Sequence, residues 1–250
     1  MPTHYNAASR LHKLFNGLAN NAAYTDQYPA LAVWSEAFYL RSTEERYLAY
    51  EIVENLKNVR NQLTLIKTGM VKLNFSPILY DSAIIHLEEA ISPLFLNDRW
   101  GRAKQFLKIE YLTTLSFCSE ILPSEETEFP LKDINEIKKL LAELRTETER
   151  SQIQGAIQET IIYHLSRMEN AVDAYNIRGV KAMQEALVAG LGGVVVNKEL
   201  FKEHINEPLV SSFLNKLQRF GEFTDTAQKA EFLISYSQKA FDVMQSYFSN

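Results

Sequence analysis

The chain has 250 residues with 46% hydrophobic content, which is enough to bury a core and excludes a disordered or fibrous protein. A net charge of −5 excludes a basic domain built to neutralise a phosphate backbone, and the single cysteine, Cys118, excludes an internal disulfide. The 9 glycines and 7 prolines are about half of average usage, which leaves few turn formers for a many-stranded sheet. We therefore expect an all-α, multi-helix bundle of roughly nine to eleven helices, arranged as one bundle or as two packed halves.

The N-terminus and the longest apolar run both argue against export and membrane insertion. Residues 1–6 lack the charged start and apolar run of a signal peptide. The longest uncharged apolar run, residues 186–196, has 11 residues and is broken by three glycines, whereas a membrane span needs about 18 to 20 residues. We expect a cytoplasmic protein with no membrane span, in which Cys118 is a small buried residue.

The first two predicted helices are short. Leu11, Leu14, Phe15 and Leu18 recur at three and four residues, which predicts an amphipathic helix over residues 6–19. A second helix is expected to begin after Pro29, because proline suits the first helical turn.

The third predicted helix, residues 43–70, has the clearest periodicity in the chain. Ser42 is expected to cap it, with Glu45 completing a capping box. Its apolar positions are spaced like a heptad seam, which predicts packing along a partner helix. These positions are Leu48, Ile52, Leu56, Val59, Leu63, Ile66 and Met70.

Four basic residues of this helix lie together beside the apolar seam. At 100° per residue, Arg46, Lys57, Arg60 and Lys67 fall within about 80°, and we call them the basic flank. Such a flank is typical of a solvated helix face. The alternative is a binding site for an acidic partner, so these four residues are candidate partner-binding residues.

A stretch of mixed basic and aromatic residues follows a predicted helix over residues 77–91. In residues 97–108, four basic side chains are interleaved with Trp100 and Phe106, a pattern that can hold single-stranded nucleic acid. The basic residues do not share a helical face, so a loop leading into a buried helix (Leu107, Tyr111, Leu115) is the preferred interpretation. Nucleic acid is disfavoured, and Arg99, Trp100 and Arg102 are kept as candidate partner-binding residues.

The excess negative charge is concentrated in one connector. Residues 120–136 contain six acidic residues and a single basic one, Lys132. With prolines at 123 and 130, residues 121–130 are expected to separate an N-terminal helical half, residues 1–120, from a C-terminal half, residues 131–250. One continuous domain with a long loop is the alternative. We expect the connector to be solvated, so that charge reversal at Glu125, Glu126 and Glu128 leaves the melting temperature nearly unchanged.

The C-terminal half is expected to continue as helices. Apolar spacing predicts helices over residues 131–148 and 151–175, packed as an antiparallel hairpin, and a third helix that begins at Gly179. Asn197 is a plausible cap for a short helix that ends before Pro208. Two more helices are expected over residues 209–220 and 224–248.

The glycines at 190, 192 and 193 allow two interpretations. Phosphate-binding loops place glycines after a strand and before a helix, whereas these glycines follow a helix. A helix end, or a close helix crossing at Gly190, is therefore preferred. Val194, Val195 and Val196 are expected to form a short extended or buried piece.

The sequence contains no recognisable catalytic or metal-binding motif. The pairs His86/Glu89 and His204/Glu207 could each share a helical face, but their order is the reverse of the Glu-x-x-His pairs of di-iron bundles. His164 lies off the apolar seam and is expected to be exposed or a satisfied boundary residue. We therefore assign no catalytic residue, metal ligand or cofactor.

These observations favour a non-enzymatic protein-protein interaction or regulatory protein of the bacterial or phage cytosol. A protein partner or a homo-oligomer is expected, because the helices carry heptad-like seams. A helical enzyme or toxin-like effector, with a site built from dispersed polar residues, is one alternative. A helical regulator that binds a small ligand is another.

Overall fold

The computed structural model describes residues 4–40 and 44–226, and within these ranges the chain is helical with no β-strand. Twelve α-helices are present there, nine of them with seven or more residues, which confirms the predicted all-α multi-helix fold. They are α1 (Ala7–Asn20), α2 (Ala30–Ala37), α3 (Glu45–Lys72), α4 (Asp81–Ala90), α5 (Gly101–Lys104), α6 (Ile109–Ile121), α7 (Leu131–Arg150), α8 (Ala156–Asp173), α9 (Tyr175–Arg178), α10 (Val180–Val196), α11 (Lys198–Glu203) and α12 (Pro208–Thr226). None of these helices is long and apolar enough to cross a membrane.

The chain divides into two compact units. The first unit runs to Glu125 and also includes the short segment Asn176–Gly179. The second unit contains Glu126–Tyr175 and resumes at Val180. No pattern in the sequence marks the return of residues 176–179 to the first unit.

The first unit is built around α3, which packs against α1, α2, α4 and α6. The predicted seam is confirmed, since every seam residue from Ile52 to Met70 is buried and Leu48 packs on the core from a half-buried position. Asn6 caps α1 through a capping box with Ser9, so this helix begins at Ala7. The predicted cap of α3, Ser42, lies outside the described residues.

The region after α3 differs in detail from the prediction. A 3-10 turn, Pro77–Leu79, precedes α4 where one continuous helix was predicted. The predicted buried helix is α6, in which Leu115 and Cys118 lie in the core. Burial raises the pKa of the Cys118 thiol to about 11, which agrees with a packing role.

The acidic connector is packed in part, since Glu126 and Phe129 are buried whereas Glu125 and Glu128 are exposed, so the prediction that it is solvated is wrong at Glu126. Glu126 is buried, and its carboxylate accepts a hydrogen bond from the backbone N–H of Val180. Glu125 forms an ion pair with buried Arg10 at 2.7 Å. The local excess of acidic residues predicted charge repulsion and hydration. Glu125 and Glu126 instead bond to Arg10 and Val180, which lie more than 50 residues away along the chain.

The second unit contains the predicted antiparallel hairpin, formed by α7 and α8. The guanidinium of Arg145 on α7 donates to both carboxylate oxygens of Glu169 on α8, and Gln158 reaches the carbonyl of Thr148. The second helix begins at Ala156 and not at Ser151, because Gly155 has a φ of 84° that interrupts the helix.

The glycines of α10 lie inside the helix, where they allow close packing. A Cβ at Gly190 would approach Leu217 Cδ1 of α12 to 2.9 Å, and a Cβ at Gly193 would approach His164 Nε2 of α8 to 1.9 Å. The predicted close crossing at Gly190 is confirmed. Of the two alternatives for residues 194–196, the extended piece is wrong, because α10 continues to Val196, and burial is found at Val194 but not at Val196.

The end of the described chain combines confirmed and corrected features. Asn197 does precede α11, but its side chain donates to the carbonyl of Gly193 at 2.8 Å instead of capping the helix. α12 extends from Pro208 to Thr226 without the break predicted near residues 221–223. Beyond Thr226, the predicted last helix over residues 224–248 lies outside the described residues.

Candidate partner-binding surface

The four residues of the basic flank are all exposed on α3. Lys67 forms an ion pair with Asp81 of α4, and the hydrogen bond from Lys67 to this carboxylate raises the lysine pKa. In the part of the chain that the structure describes, no ion pair is found for Arg46, Lys57 or Arg60. The structure therefore places these cations at the surface.

The other three candidate partner-binding residues, Arg99, Trp100 and Arg102, do not form one surface. Arg99 donates from Nη1 to the backbone carbonyl of Gln27 at 3.1 Å. Trp100 is fully buried and packs edge-on against Trp34, with ring centroids 5.6 Å apart. Its assignment as a surface binding residue is wrong, because its apolar ring fills the core of the first unit. Only Arg102 joins a larger surface feature.

This feature is a row of four half-buried rings, which we call the aromatic ladder. His86 of α4 stacks on Tyr111 of α6 with centroids 4.3 Å apart and an interplanar angle of 18°. Phe106 follows at 6.4 Å from His86, and Phe95 lies 6.1 Å from Phe106 with an interplanar angle of 14°. Helices α4 and α6 thus contribute one ring each, and the connecting segments before and after α5 contribute the other two.

A cation lies at each end of the aromatic ladder. The Arg102 guanidinium carbon is 5.4 Å from the centroid of Phe95, and Lys108 Nζ is 6.0 Å from that of Tyr111. Both distances fall within the range of cation–π attraction. The order along the surface is therefore Arg102, Phe95, Phe106, His86, Tyr111 and Lys108.

His86 contributes to the aromatic ladder through a defined hydrogen bond. Its Nδ1 lies 2.7 Å from the backbone carbonyl oxygen of Ser82, which can only accept, so Nδ1 donates its N–H to this oxygen. In residues 4–40 and 44–226, no group of three or more His, Cys, Asp or Glu side chains is placed to hold a metal ion.

Three strongly exposed aliphatic side chains are sequence neighbours of this row. Ile85 adjoins His86, Leu94 adjoins Phe95 and Ile109 adjoins Lys108, with exposed fractions of 50%, 85% and 73%. Single exposed aliphatics are common on protein surfaces, but three that adjoin residues of one aromatic row in sequence are more informative. We therefore treat the aromatic ladder and these three aliphatics as the candidate site.

The side chains of this site are of the types that are common at protein interfaces. A base must stack on an open ring face, whereas each ladder ring already faces another ring or a cation. Aromatic, arginine and aliphatic side chains around a half-buried centre are the composition typical of protein interfaces. Sequence reasoning identified Arg102 and Phe106 but could not place them beside His86, because the residues lie on different elements.

His164, on α8 of the second unit, is the other titratable group that departs from expectation. The prediction of an exposed or satisfied residue is wrong, since His164 is buried and its Nδ1 has no hydrogen-bond partner. Burial lowers its pKa, and the nearby charge of Arg167 lowers it further. Its Nε2 faces the backbone of Gly193, so the ring serves in packing.

Acidification should therefore destabilise the second unit through His164. Because the folded state holds the pKa of His164 below its usual 6.5, the unfolded state binds protons more readily. The contribution of this group is complete above about pH 6.5 and is lost as the pH falls through that value. The melting temperature should drop more between about pH 7.5 and about pH 5.5 in the wild type than in His164→Asn. An equal drop in both proteins would contradict this prediction.

No protein-family model, curated protein or solved structure matches this chain. The function must therefore be argued from the surface chemistry alone.

Proposed function

We propose that this chain is a non-enzymatic protein-binding protein of the cytosol, and that the aromatic ladder with its three flanking aliphatics contacts a protein partner. The observation that carries the proposal is a row of stacked rings whose members or end cation adjoin in sequence Ile85, Leu94 and Ile109, each at least half exposed. Covering these side chains would remove apolar surface from water, which stabilises a complex by about 25 cal/mol per Å² before association costs are subtracted.

The arrangement of the rings supports a preorganised interface. Each ring is held by a neighbouring ring, and His86 is fixed further by its bond to the Ser82 carbonyl. Rigid side chains lose little conformational entropy on binding, so more of the contact free energy remains as affinity. The cations at the two ends can add hydrogen bonds to partner carboxylates.

A second copy of the chain is the alternative occupant of the same surface. A homo-oligomer would place the same patch of both subunits in contact around a two-fold axis. Light scattering distinguishes the two cases, because only a homo-oligomer changes mass with the concentration of the pure protein.

Charge introduced at the exposed aliphatics should abolish partner binding without unfolding the protein. Leu94→Glu and Ile109→Glu place a carboxylate where a desolvated contact would form, while both side chains are solvent-exposed in the unbound chain. We expect recovery of the partner from lysate of the source cells, measured by quantitative mass spectrometry, to fall about 10-fold or more. The melting temperature should stay within about 1 °C of the wild type.

Leu131→Glu is the matched control, because Leu131 is 75% exposed on the second unit and far in sequence from the aromatic ladder. This variant should retain the partner at the wild-type level. Equal recovery with Leu94→Glu and Leu131→Glu, or a wild-type protein that is monomeric and enriches no protein, would refute the proposed function.

A further inference from the structure

We propose that the basic flank of α3 is a second interaction surface, which docks an acidic amphipathic helix of a protein partner. The proposal does not depend on the aromatic ladder, because it involves different residues and a different helix. It is argued from the charge, the exposed apolar side chains and the length of this flank.

The exposed side of α3 carries one sign of charge over an arc of about 100°. At 100° per residue this arc contains the whole basic flank, and the acidic residues Glu45, Glu51 and Glu54 of the same helix fall outside it. On a helix surface with mixed charges, acidic and basic residues three or four positions apart would pair with each other. Glu54 stands three residues before Lys57, but no ion pair joins the two in the described part of the chain, so the flank charges are available to an external partner.

Among residues 4–40 and 44–226, ion pairing engages one of the four cations. Lys67 is held by Asp81 from the neighbouring helix α4, and the charge of Glu88 acts on it as well. Across the described ranges, Lys57 and Arg60 have no carboxylate at ion-pair distance, and they stand one helical turn apart. These two cations form the centre of the proposed docking surface.

Apolar side chains are interleaved with the cations on the same arc. Tyr50, Val53 and Val71 have exposed fractions of 65%, 39% and 53%. A partner that covers this arc must therefore present both carboxylates and apolar groups, at the spacing of three to four residues that the arc itself has. An amphipathic helix has this spacing, whereas a loop does not.

The length of the basic flank along α3 favours an extended partner. Arg46 and Lys67 are 21 residues apart, which corresponds to about 32 Å at 1.5 Å per residue. A helix of about 20 residues matches this distance, while a small anion would engage one or two cations only. Nucleic acid and anionic membranes are disfavoured, because four cations spread over this length give a low charge density within a chain of net charge −5.

A designed peptide tests the proposal with the full-length protein. The probe is a fluorescent 21-residue amphipathic helix with glutamates three and four residues apart beside a leucine stripe, and its control replaces every glutamate with glutamine. Binding is measured by anisotropy at low and high salt. We expect the glutamate peptide to bind at least about 10-fold more tightly than the glutamine peptide, and high salt to weaken it.

Two charge-matched double variants locate the binding. Lys57→Glu/Arg60→Glu should weaken the glutamate peptide about 10-fold or more, whereas Lys132→Glu/Lys139→Glu, on the exposed surface of α7, should change it less than about 2-fold. Equal weakening by both variants would mean attraction to overall charge and would overturn the proposal. No binding of the glutamate peptide, or tighter binding of a single-stranded oligonucleotide or of phosphatidylserine vesicles through Lys57 and Arg60, would overturn it too.

Discussion

Alanine at position 193 should destabilise the second unit by about 3 kcal/mol, at the upper end of the range for overpacking. A Cβ there would lie 1.9 Å from Nε2 of His164, far below the sum of the van der Waals radii of the two atoms. The imidazole cannot move away easily, because its ring is buried between α8 and α10. Urea unfolding followed by circular dichroism measures the loss.

The neighbouring glycine provides an internal control for this substitution. Gly192 has no atom within 4 Å of an added Cβ, so Gly192→Ala should stabilise the same helix by up to about 1 kcal/mol. In a His164→Ala background, the cost of Gly193→Ala should shrink by at least about 1 kcal/mol, because the clashing ring is gone. If Gly193→Ala and Gly192→Ala unfold at the same urea concentration, the crossing of α8 and α10 is not as close as the structure shows.

Methionine in place of Arg10 should destabilise the first unit by about 2 to 5 kcal/mol. The buried guanidinium donates to three acceptors from distant parts of the chain: the carbonyl of Ile177 at 3.1 Å, Gln62 Oε1 at 3.2 Å and Glu125 Oε2 at 2.7 Å. Methionine fills similar space but donates no hydrogen bond, so the Ile177 and Gln62 oxygens lose a donor in the protein interior. Denaturant unfolding and amide hydrogen exchange near Ile177 would report the change.

Two further variants separate geometry from charge at this position. Arg10→Lys keeps the charge but not the planar fork that serves three acceptors, so it should recover less than half of the loss. Glu125→Gln should cost at most about 1 kcal/mol, because the Glu125 side chain is 47% exposed and water can replace part of the interaction. A wild-type unfolding midpoint for Arg10→Met would mean that the apolar replacement fully compensates for the lost hydrogen bonds.

The features predicted correctly from the sequence are those set by residues close together in the chain. The seam of α3 depends on spacings of three and four residues. The capping box of Asn6 and Ser9 is also local, but the prediction took Asn6 as the start of the helix and missed the cap. Even a local pattern gives a wrong prediction at glycine when packing places the residue inside a helix despite its low helix propensity. The glycines of α10 suggested a helix end or a close crossing; all three lie inside the helix, and Leu217 and His164 approach closely at Gly190 and Gly193.

The features that the sequence could not supply depend on distant contacts. Nothing in the sequence distinguishes Arg10 from an ordinary surface arginine, because the residues that accept its hydrogen bonds are 52, 115 and 167 positions away. The aromatic ladder requires α4, α6 and two connecting segments to be placed together, and no periodic pattern encodes that arrangement. Trp100 is buried because it packs against Trp34, and a pattern of basic and aromatic residues in the sequence does not predict this contact.

The return of Asn176–Gly179 to the first unit affects how this protein can fold during its synthesis. Arg10 is made among the first residues, yet the carbonyl that accepts its Nε–H belongs to Ile177, which is made 52 residues after Glu125. At about 5 to 20 residues per second, a ribosome needs roughly 3 to 10 seconds for that interval. During it the nascent first unit holds a buried cation that lacks one of its hydrogen-bond acceptors. Its final packing must therefore wait until much of the second unit has been translated.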